Sequence, residues 1–499
     1  MTKKKCIAAE VLVFLIALIS AYLWSSNMSV MFLSDDRSAY FCDQVLFEFI
    51  GKAWANGIPA YTYYFDHKGP VVFLFFCIGY LIDGTRRGVM LVHSIWTAVS
   101  IYLLHRILFQ MDLFKSYITN LVMSAISSII TILLLWSWNV QSGVVVAQIE
   151  MPFILTCTWI ICEWYKTDSF LSGRRLHFLY GISCMMIIMA RASDAIFIFT
   201  TYIGLLCVHI KHKQKLFQNL CVILLGGFLP FAMFLSYFGY YGVVDTFMDC
   251  TLWSNFRYAA KSVSTDASCT YVWAILLFVM LVALFIIAWH RKASGLAPYC
   301  VASGLHLLFY ISTTRFTQYC IAFLADIVIL LFIAFYGYKI TTRCRKRIFG
   351  ILFGIYVMFF VSAEIVTAGY ITWYHGTQEC IRQYDEALRD ELIASGKSYM
   401  TYNDEYLLAT MMESDYELPV CKYILFQDWH VDCGVIELAE LQSAIKESSP
   451  DVIITLDKSA YADELFVDYE LTDVYELWRD SDGVYDEVYT YYTYEKIEE

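Results

Sequence analysis

Residues 66 to 82 read Asp66-His67-Lys68-Gly69-Pro70 and then Val71-Val72-Phe73-Leu74-Phe75-Phe76-Cys77-Ile78-Gly79-Tyr80-Leu81-Ile82. A charged elbow runs straight into a dozen apolar residues, and the reading of that dozen fixes the topology of everything after it. At 1.5 Å per residue the run is about 18 Å long, too short to cross a hydrocarbon core of about 30 Å. Taken as a re-entrant or interfacial helix, it keeps the basic clusters on the side of Lys3-Lys4-Lys5. These are Arg106 with Lys115, Lys166 with Arg174 and Arg175, Lys211 with Lys213 and Lys215, Arg291 with Lys292, and Lys339 with Arg343, Arg345, Lys346 and Arg347. Every turn then obeys the positive-inside rule. Taken as a crossing, it would reverse every later loop.

The bulk composition demands a bilayer. Of 499 residues, 59% are hydrophobic and only 16% charged, with a mean hydropathy of +0.55. A water-soluble chain of this length divides into domains with ordinary surfaces and has no use for so much apolar area. Residues 6 to 24 form an apolar run after the lysines with no small-residue cleavage site near Ser25, and read as an uncleaved first span. Further spans are expected at 88 to 108, 117 to 137, 151 to 165, 176 to 190, 194 to 210, 217 to 238, 271 to 289, 296 to 312, 319 to 338 and 348 to 371, eleven in all. The N-terminus is then cytoplasmic. Residues 25 to 87, Trp138 to Glu150, a short turn near Arg191, residues 239 to 270, and Ser312 to Gln318 lie outside.

Residues 376 to 499 are different in kind. They carry 30 Asp/Glu against 8 Lys/Arg, whereas the whole chain is only −12, so an acidic tail domain follows a net basic membrane body of residues 1 to 375. Tyr399 to Tyr402, Tyr423 to Phe426 and Val452 to Thr455 read as short buried strands. Glu437 to Glu447 has helical period, ended by Ser448-Ser449-Pro450. Leu465 to Tyr494, rich in Tyr and Val, adds strands. Alternating strands and helix give a small extracytoplasmic α/β domain. Most of the sixteen cysteines sit in apolar spans, where Cys acts as a small hydrophobe. Cys421 and Cys433 could bridge in an oxidising compartment, and no zinc-type Cys/His spacing occurs.

In the first external loop the chemistry-bearing residues are Asp35, Asp36, Asp43, Asp66, His67 and Lys68. Phe41, Val45, Leu46, Phe49 and Ile50 recur at helical spacing, predicting an amphipathic surface helix from Ser38 to Trp54 with Asp43 near its start. Asp43 alone is equally an acid stabilised by the helix dipole, and Lys68 alone could snorkel at a helix entrance. Together they place a base and a cation in one short loop at the bilayer edge. Elsewhere, Arg191 beside apolar runs implies a functional or paired role. Arg315 reads as an interface anchor or a substrate contact, and Glu150 as a cap on the helix starting at Met151.

Asp43-Gln44-Val45-Leu46-Phe47-Glu48-Phe49-Ile50-Gly51, Gly57-Ile58-Pro59-Ala60-Tyr61 and Phe65-Asp66-His67-Lys68-Gly69-Pro70 resemble the first external loop of bacterial GT-C glycosyltransferases. These multispanning enzymes are related to protein O-mannosyltransferases and the lipid A aminoarabinose transferase. The resemblance implies a GT-C fold, with Asp43 as catalytic base and the Lys68-Gly69-Pro70 segment opening a juxtamembrane helix. Arg191 is similar to an arginine after the family's fifth span, although Ala192-Ser193 replace the usual Pro-Asn. Arg315-Phe316-Thr317-Gln318-Tyr319 is similar to a late loop in which histidine often stands where Gln318 does. Ala147-Gln148 occupy the place of a family Glu pair, with Glu150 displaced.

The chemistry implied is inverting transfer of a sugar from a polyprenyl-phosphate carrier to an acceptor hydroxyl on a surface glycan, glycolipid or protein. Asp43, with Asp36 as substitute, would serve as general base. Lys68 and Arg315 first, then Arg257 and Lys261, would stabilise the departing phosphate. Asp66, His67, Arg191, Gln318 and Tyr319 join the substrate contacts. No cofactor is certain, a divalent cation stays open, and no nucleic acid is expected. Two other classes stand beside this one: a transporter or flippase of envelope precursors, and a non-catalytic anchor displaying the acidic domain.

Overall fold

A computed structural model describes residues 3–32, 42–139, 144–255, 257, 267–293, 295–312, 321–402, 407–408, 411, 419–424, 427–481 and 484–497. Seven of its helical segments are long and apolar enough to cross a membrane: Cys6–Met28, Arg86–Gln110, Tyr117–Ser137, Val146–Thr167, Arg174–Val208, Ile210–Tyr240 and Arg343–Gly369. Pro70–Asp83, Ala274–His290, Ala297–Ser312 and Ile321–Phe335 are shorter apolar helices. This is an integral membrane protein. The segment 174–208, read above as two spans, is one apolar helical run interrupted by a 3-10 turn at Ala192–Ala195.

The chain divides into two compact units. The first comprises Met1–Asn27, Met90–Val244 and Ser262–Val366, and the second Met28–Val89, Asp245–Lys261 and Thr367–Glu499. In chain order the helices are α1 (Lys3–Met28), α2 (Cys42–Ala55), α3 (Pro70–Asp83), α4 (Arg86–Gln110), α5 (Tyr117–Asn139), α6 (Val146–Thr167), α7 (Arg174–Arg191), α8 (Ile196–Val208) and α9 (Lys213–Tyr240).

Within the first unit, α7 and α9 approach until glycines are obligatory. A Cβ on Gly226 would lie 2.2 Å from the Phe178 carbonyl oxygen, and one on Gly181 2.2 Å from that of Ile223. Small residues let backbones meet where lipid supplies no hydrophobic drive. Elsewhere in the first unit several polar side chains pair with one another: Trp24 Nε1 donates to Ser137 Oγ at 3.0 Å, Ser137 Oγ to Glu364 at 2.7 Å, and Ser25 Oγ meets His93 Nδ1 at 2.9 Å. An unsatisfied group in hydrocarbon costs several kcal/mol, so such pairing is strongly favoured.

In the second unit, α3 bears out the short-helix reading: Pro70 opens it, and Gly84, at φ 73°, closes it after 14 residues by donating its N–H to the Tyr80 carbonyl. The amphipathic surface helix expected from Ser38 to Trp54 is a helix over Cys42–Ala55, with 38–41 outside the described residues, and its Gln44 to Ile50 are buried all round, not one-sided. Two contacts explain this. Gly51 brings the α2 backbone against α3, where a Cβ would meet Phe76 Cβ at 2.3 Å. Glu48, mid-helix, is neutralised by Arg86 through Nε at 2.7 Å and Nη2 at 3.0 Å, and accepts the Tyr80 hydroxyl at 2.5 Å.

The tail forms a four-stranded sheet of order β1-β2-β4-β3, with β1 (Tyr399–Tyr402), β2 (Val452–Leu456), β3 (Tyr469–Ser481) and β4 (Val484–Lys496). β1 and β2 pair in parallel, and β2–β4 and β3–β4 antiparallel. Among the described residues, the β1–β2 crossover includes the helices Asp428–Asp432 and Leu438–Ser448. The longer one turns Leu441, Ala444 and Ile445 onto Met400 and Ile453. The other face is covered by Leu392, with Tyr384 and Leu388 packed beside it, over Tyr399, Val452 and Tyr491. The strand expected at Tyr423 to Phe426 does not form over Tyr423 and Ile424, and 425–426 lie outside the described residues. Those two side chains are buried by packing, and the Ile424 carbonyl accepts Thr401 Oγ1 at 2.8 Å in place of a strand partner. Cys421 and Cys433 are both thiols.

Candidate functional site

The elbow Asp66-His67-Lys68 is assembled by its own backbone. Gly57 at φ 94° and Tyr61 at φ 67° turn the chain after α2. A bulky residue in the left-handed region is uncommon and persists only where its surroundings compensate. Here the turn brings the Tyr61 hydroxyl back onto the Lys68 carbonyl at 2.6 Å. Lys68 is thereby fixed one residue before the Gly69 cap and Pro70 of α3.

The side chains then interlock. Lys68 Nζ donates to His67 Nε2 at 3.0 Å, and its ammonium lies 5.5 Å from the centre of the Phe47 ring. An ammonium has donors only, so Nε2 is the acceptor and the ring proton resides on Nδ1. That nitrogen faces Asp66 Oδ1 at 3.2 Å. Burial raises the Asp66 carboxyl, but the Lys68 charge and the His67 contact outweigh it and hold the acid down to about 2. Asp66 Oδ2 is buried without a hydrogen-bond partner among the described residues.

Two further stretches of the same unit close on the elbow. Asn255 Nδ2 donates to the His67 carbonyl at 2.8 Å, while also bonding Cys250 and Thr251 carbonyls across the π-helical turn Asp249–Trp253. From the tail domain, the His430 ring stands edge-on to His67 with centroids 6.0 Å apart.

The other expected residues divide into three groups. Asp43 lies in the first turn of α2, its side chain outside the described residues, and Asp36, Lys261, Arg315, Gln318 and Tyr319 fall outside them as well. Arg257 is half-exposed and engaged by protein on every arm: Nη1 to Asp249 at 3.0 Å, Nη2 to Asp249 and Ser254 at 2.8 Å, and Nε to the Gly434 carbonyl at 3.1 Å. Arg191, in the first unit, is buried and paired: Nη2 reaches Glu150 at 3.2 Å and also bonds Asp194. Glu150 is therefore an ion-pair partner and does not cap α6. The capping contact comes from Gln148, whose Oε1 accepts the Val145 N–H at 3.2 Å.

Sequence reading missed Asp194, Asn255 and His430. An acid three residues after a membrane arginine was a usable signal for Asp194; nothing local marks the other two, which are brought in by tertiary folding. Among the described residues no group of three or more His, Cys, Asp and Glu is placed to hold a metal ion. No protein-family model matches the chain, and no curated protein sequence matches it.

Proposed function

We propose that this chain is an inverting, GT-C-type glycosyltransferase that moves a sugar from a polyprenyl-phosphate carrier to a hydroxyl outside the cell. The topology proposed with it has eleven crossings, a cytoplasmic N-terminus and an extracytoplasmic tail. The observation that carries the reading is the Lys68–His67–Asp66 array at the start of α3. A cation of fixed direction sits where a short apolar helix begins, a suitable place for a phosphate whose lipid tail stays in the bilayer.

In the transfer, the acceptor oxygen attacks the anomeric carbon as the bond from that carbon to the phosphate oxygen breaks. The hydroxyl proton passes to the Asp43 carboxylate. The electron pair of the broken bond stays on the polyprenyl phosphate, whose added charge Lys68 meets. One displacement with no protein nucleophile inverts the anomeric configuration. His67 supplies an acceptor that aims the Lys68 ammonium, and Asp66 holds His67 in the tautomer that can accept.

One observation favours a transporter of envelope precursors instead: the buried Glu150–Arg191–Asp194 cluster among membrane helices, where ionisable groups often mark a transport path. Full-length protein in lipid vesicles, given a panel of polyprenyl-phosphate sugars and membrane acceptors, separates the two. Sugar transfer abolished by Asp43→Asn in a normally folded protein supports the enzyme. Carrier movement across the bilayer without transfer supports the transporter.

A further inference from the structure

The tail domain touches the elbow by more than chance contact. Phe65 N–H donates to the Lys422 carbonyl at 3.0 Å, the Tyr63 hydroxyl bonds the Val420 carbonyl, and the Phe65 and Tyr423 rings meet edge to face at 5.3 Å. Phe65 packs against the same core cluster that holds Met400 and Ile453. Arg257 also ties the Asp249–Trp253 segment to the Gly434 carbonyl. His67 is 4% exposed and His430 8%.

We infer that His430 is a positioning residue for Lys68, acting through the ring of His67, so that the acidic α/β domain completes the phosphate-facing site. This rests on the glycosyltransferase reading for its catalytic consequence, though its geometry does not depend on it. A lysine side chain is flexible and has no intrinsic direction. Its aim is set by the acceptor it donates to, here His67 Nε2. An imidazole can rotate about χ2, and only contact with its faces and edges prevents that. Asp66 fixes one edge, and His430 closes the ring from the tail domain.

His430 is suited to this because it is neutral. Burial pushes its imidazole down to about 3, and the neighbouring Lys68 charge acts in the same direction against the opposing effects of the Gln427 carbonyl and Asp66. A neutral ring packs against His67 without competing for Asp66 or repelling Lys68. Its own Nδ1 lies within hydrogen-bond distance of the Gln427 backbone, 3.2 Å from N and 3.1 Å from O, which sets its plane.

The test uses full-length protein in lipid nanodiscs with His430→Ala, His430→Leu and His430→Phe. The expected kinetic result is a fall in kcat of about 10- to 100-fold for H430A at nearly unchanged donor KM, the scale of a misplaced catalytic group. H430F, which restores a flat ring, returns to within a few-fold of wild type. In parallel, 13C/15N histidine spectra, assigned by the signal lost in His67→Gln, report the His67 tautomer: Nδ1–H in wild type and H430F, shifted towards Nε2–H in H430A. Should H430A not fold, H430L, which keeps apolar volume without a ring, carries the same two expectations. Wild-type kcat and an unchanged tautomer in a folded H430A or H430L would overturn the inference. If wild type transfers no sugar at all, the glycosyltransferase reading fails, and the tautomer spectra alone still decide the role of His430.

Discussion

Two charge clusters in this protein set a cation beside carboxylates to opposite ends. In the first unit, a single nitrogen of Arg191, Nη2, bonds both Glu150 and Asp194. In the second, Lys68 donates to an imidazole, and the carboxylate of Asp66 touches the far side of that imidazole. The first arrangement neutralises a guanidinium among packed helices, which is what a membrane interior demands of a charge. The second keeps the acid one group away from the ammonium and spends the contact on direction. A cation flanked directly by acids is a fastening; a cation aimed by a neutral ring can answer a charge that develops elsewhere.

The difference can be attacked from the fastening side, where the largest effect is expected. Arg191→Leu strands two buried acids and should cost about 3–5 kcal/mol, the penalty for breaking a buried pair. It should be read as lost yield and a lowered Tm in detergent. A stable Arg191→Leu protein would show that the cluster is not structural and would revive the transport reading. The next effect tests the platform under Lys68. Gly51→Ala drives a methyl into Phe76 at 2.3 Å and should destabilise by about 1–3 kcal/mol through overpacking between α2 and α3.

Acid sensitivity sharpens the comparison further. The His430 imidazole titrates near 3 when folded and near its ordinary value of about 6.5 when unfolded. Its depressed value means that unfolding takes up a proton below about pH 6.5. Stability is thus complete above that pH and declines towards pH 3, by up to about 1.4 kcal/mol per unit. Asp66, held down to about 2, adds stability that is present above its unfolded value of about 3.9 and lost as the pH falls through its folded one. H430F should therefore resist unfolding between pH 6 and 4 better than wild type, as followed by near-ultraviolet circular dichroism. An identical acid profile would remove His430 from that transition. A smaller effect is expected of Tyr80→Phe, which deletes the hydroxyl bond to Glu48 while leaving those from Arg86 and should lower stability by about 1 kcal/mol.

Much of this architecture was legible from local pattern. The length of Val71 to Ile82, with Pro70 before it and Gly84 after, specified α3 within two residues. Ser449-Pro450 marked the end of the tail helix for the same reason, a left-handed cap at φ 46° followed by a residue that cannot continue. Failures occurred where burial is decided by distant partners. Gln44 to Ile50 read as one-sided because Glu48 and Gln44 are polar, yet Arg86 and Tyr80 from the next two helices make burial of Glu48 affordable. Tyr423 and Ile424 read as a strand because they are apolar, whereas their backbone runs beside β1 without entering the ladder. Asp66, His67 and Lys68 were visible as a motif, but their coupling to His430, more than 360 residues away, had no local trace.

The central claim is that Lys68, aimed by His67 and Asp66, meets the charge of a departing lipid phosphate. Its most direct test is Lys68→Gln in the full-length protein, assayed for transfer from a polyprenyl-phosphate sugar beside wild type at matched folding and membrane insertion. The account predicts a loss in kcat of about 100-fold or more, the scale of removing a group that stabilises transition-state charge, with the Tm within a few degrees of wild type. Wild-type turnover by a folded K68Q protein would contradict it.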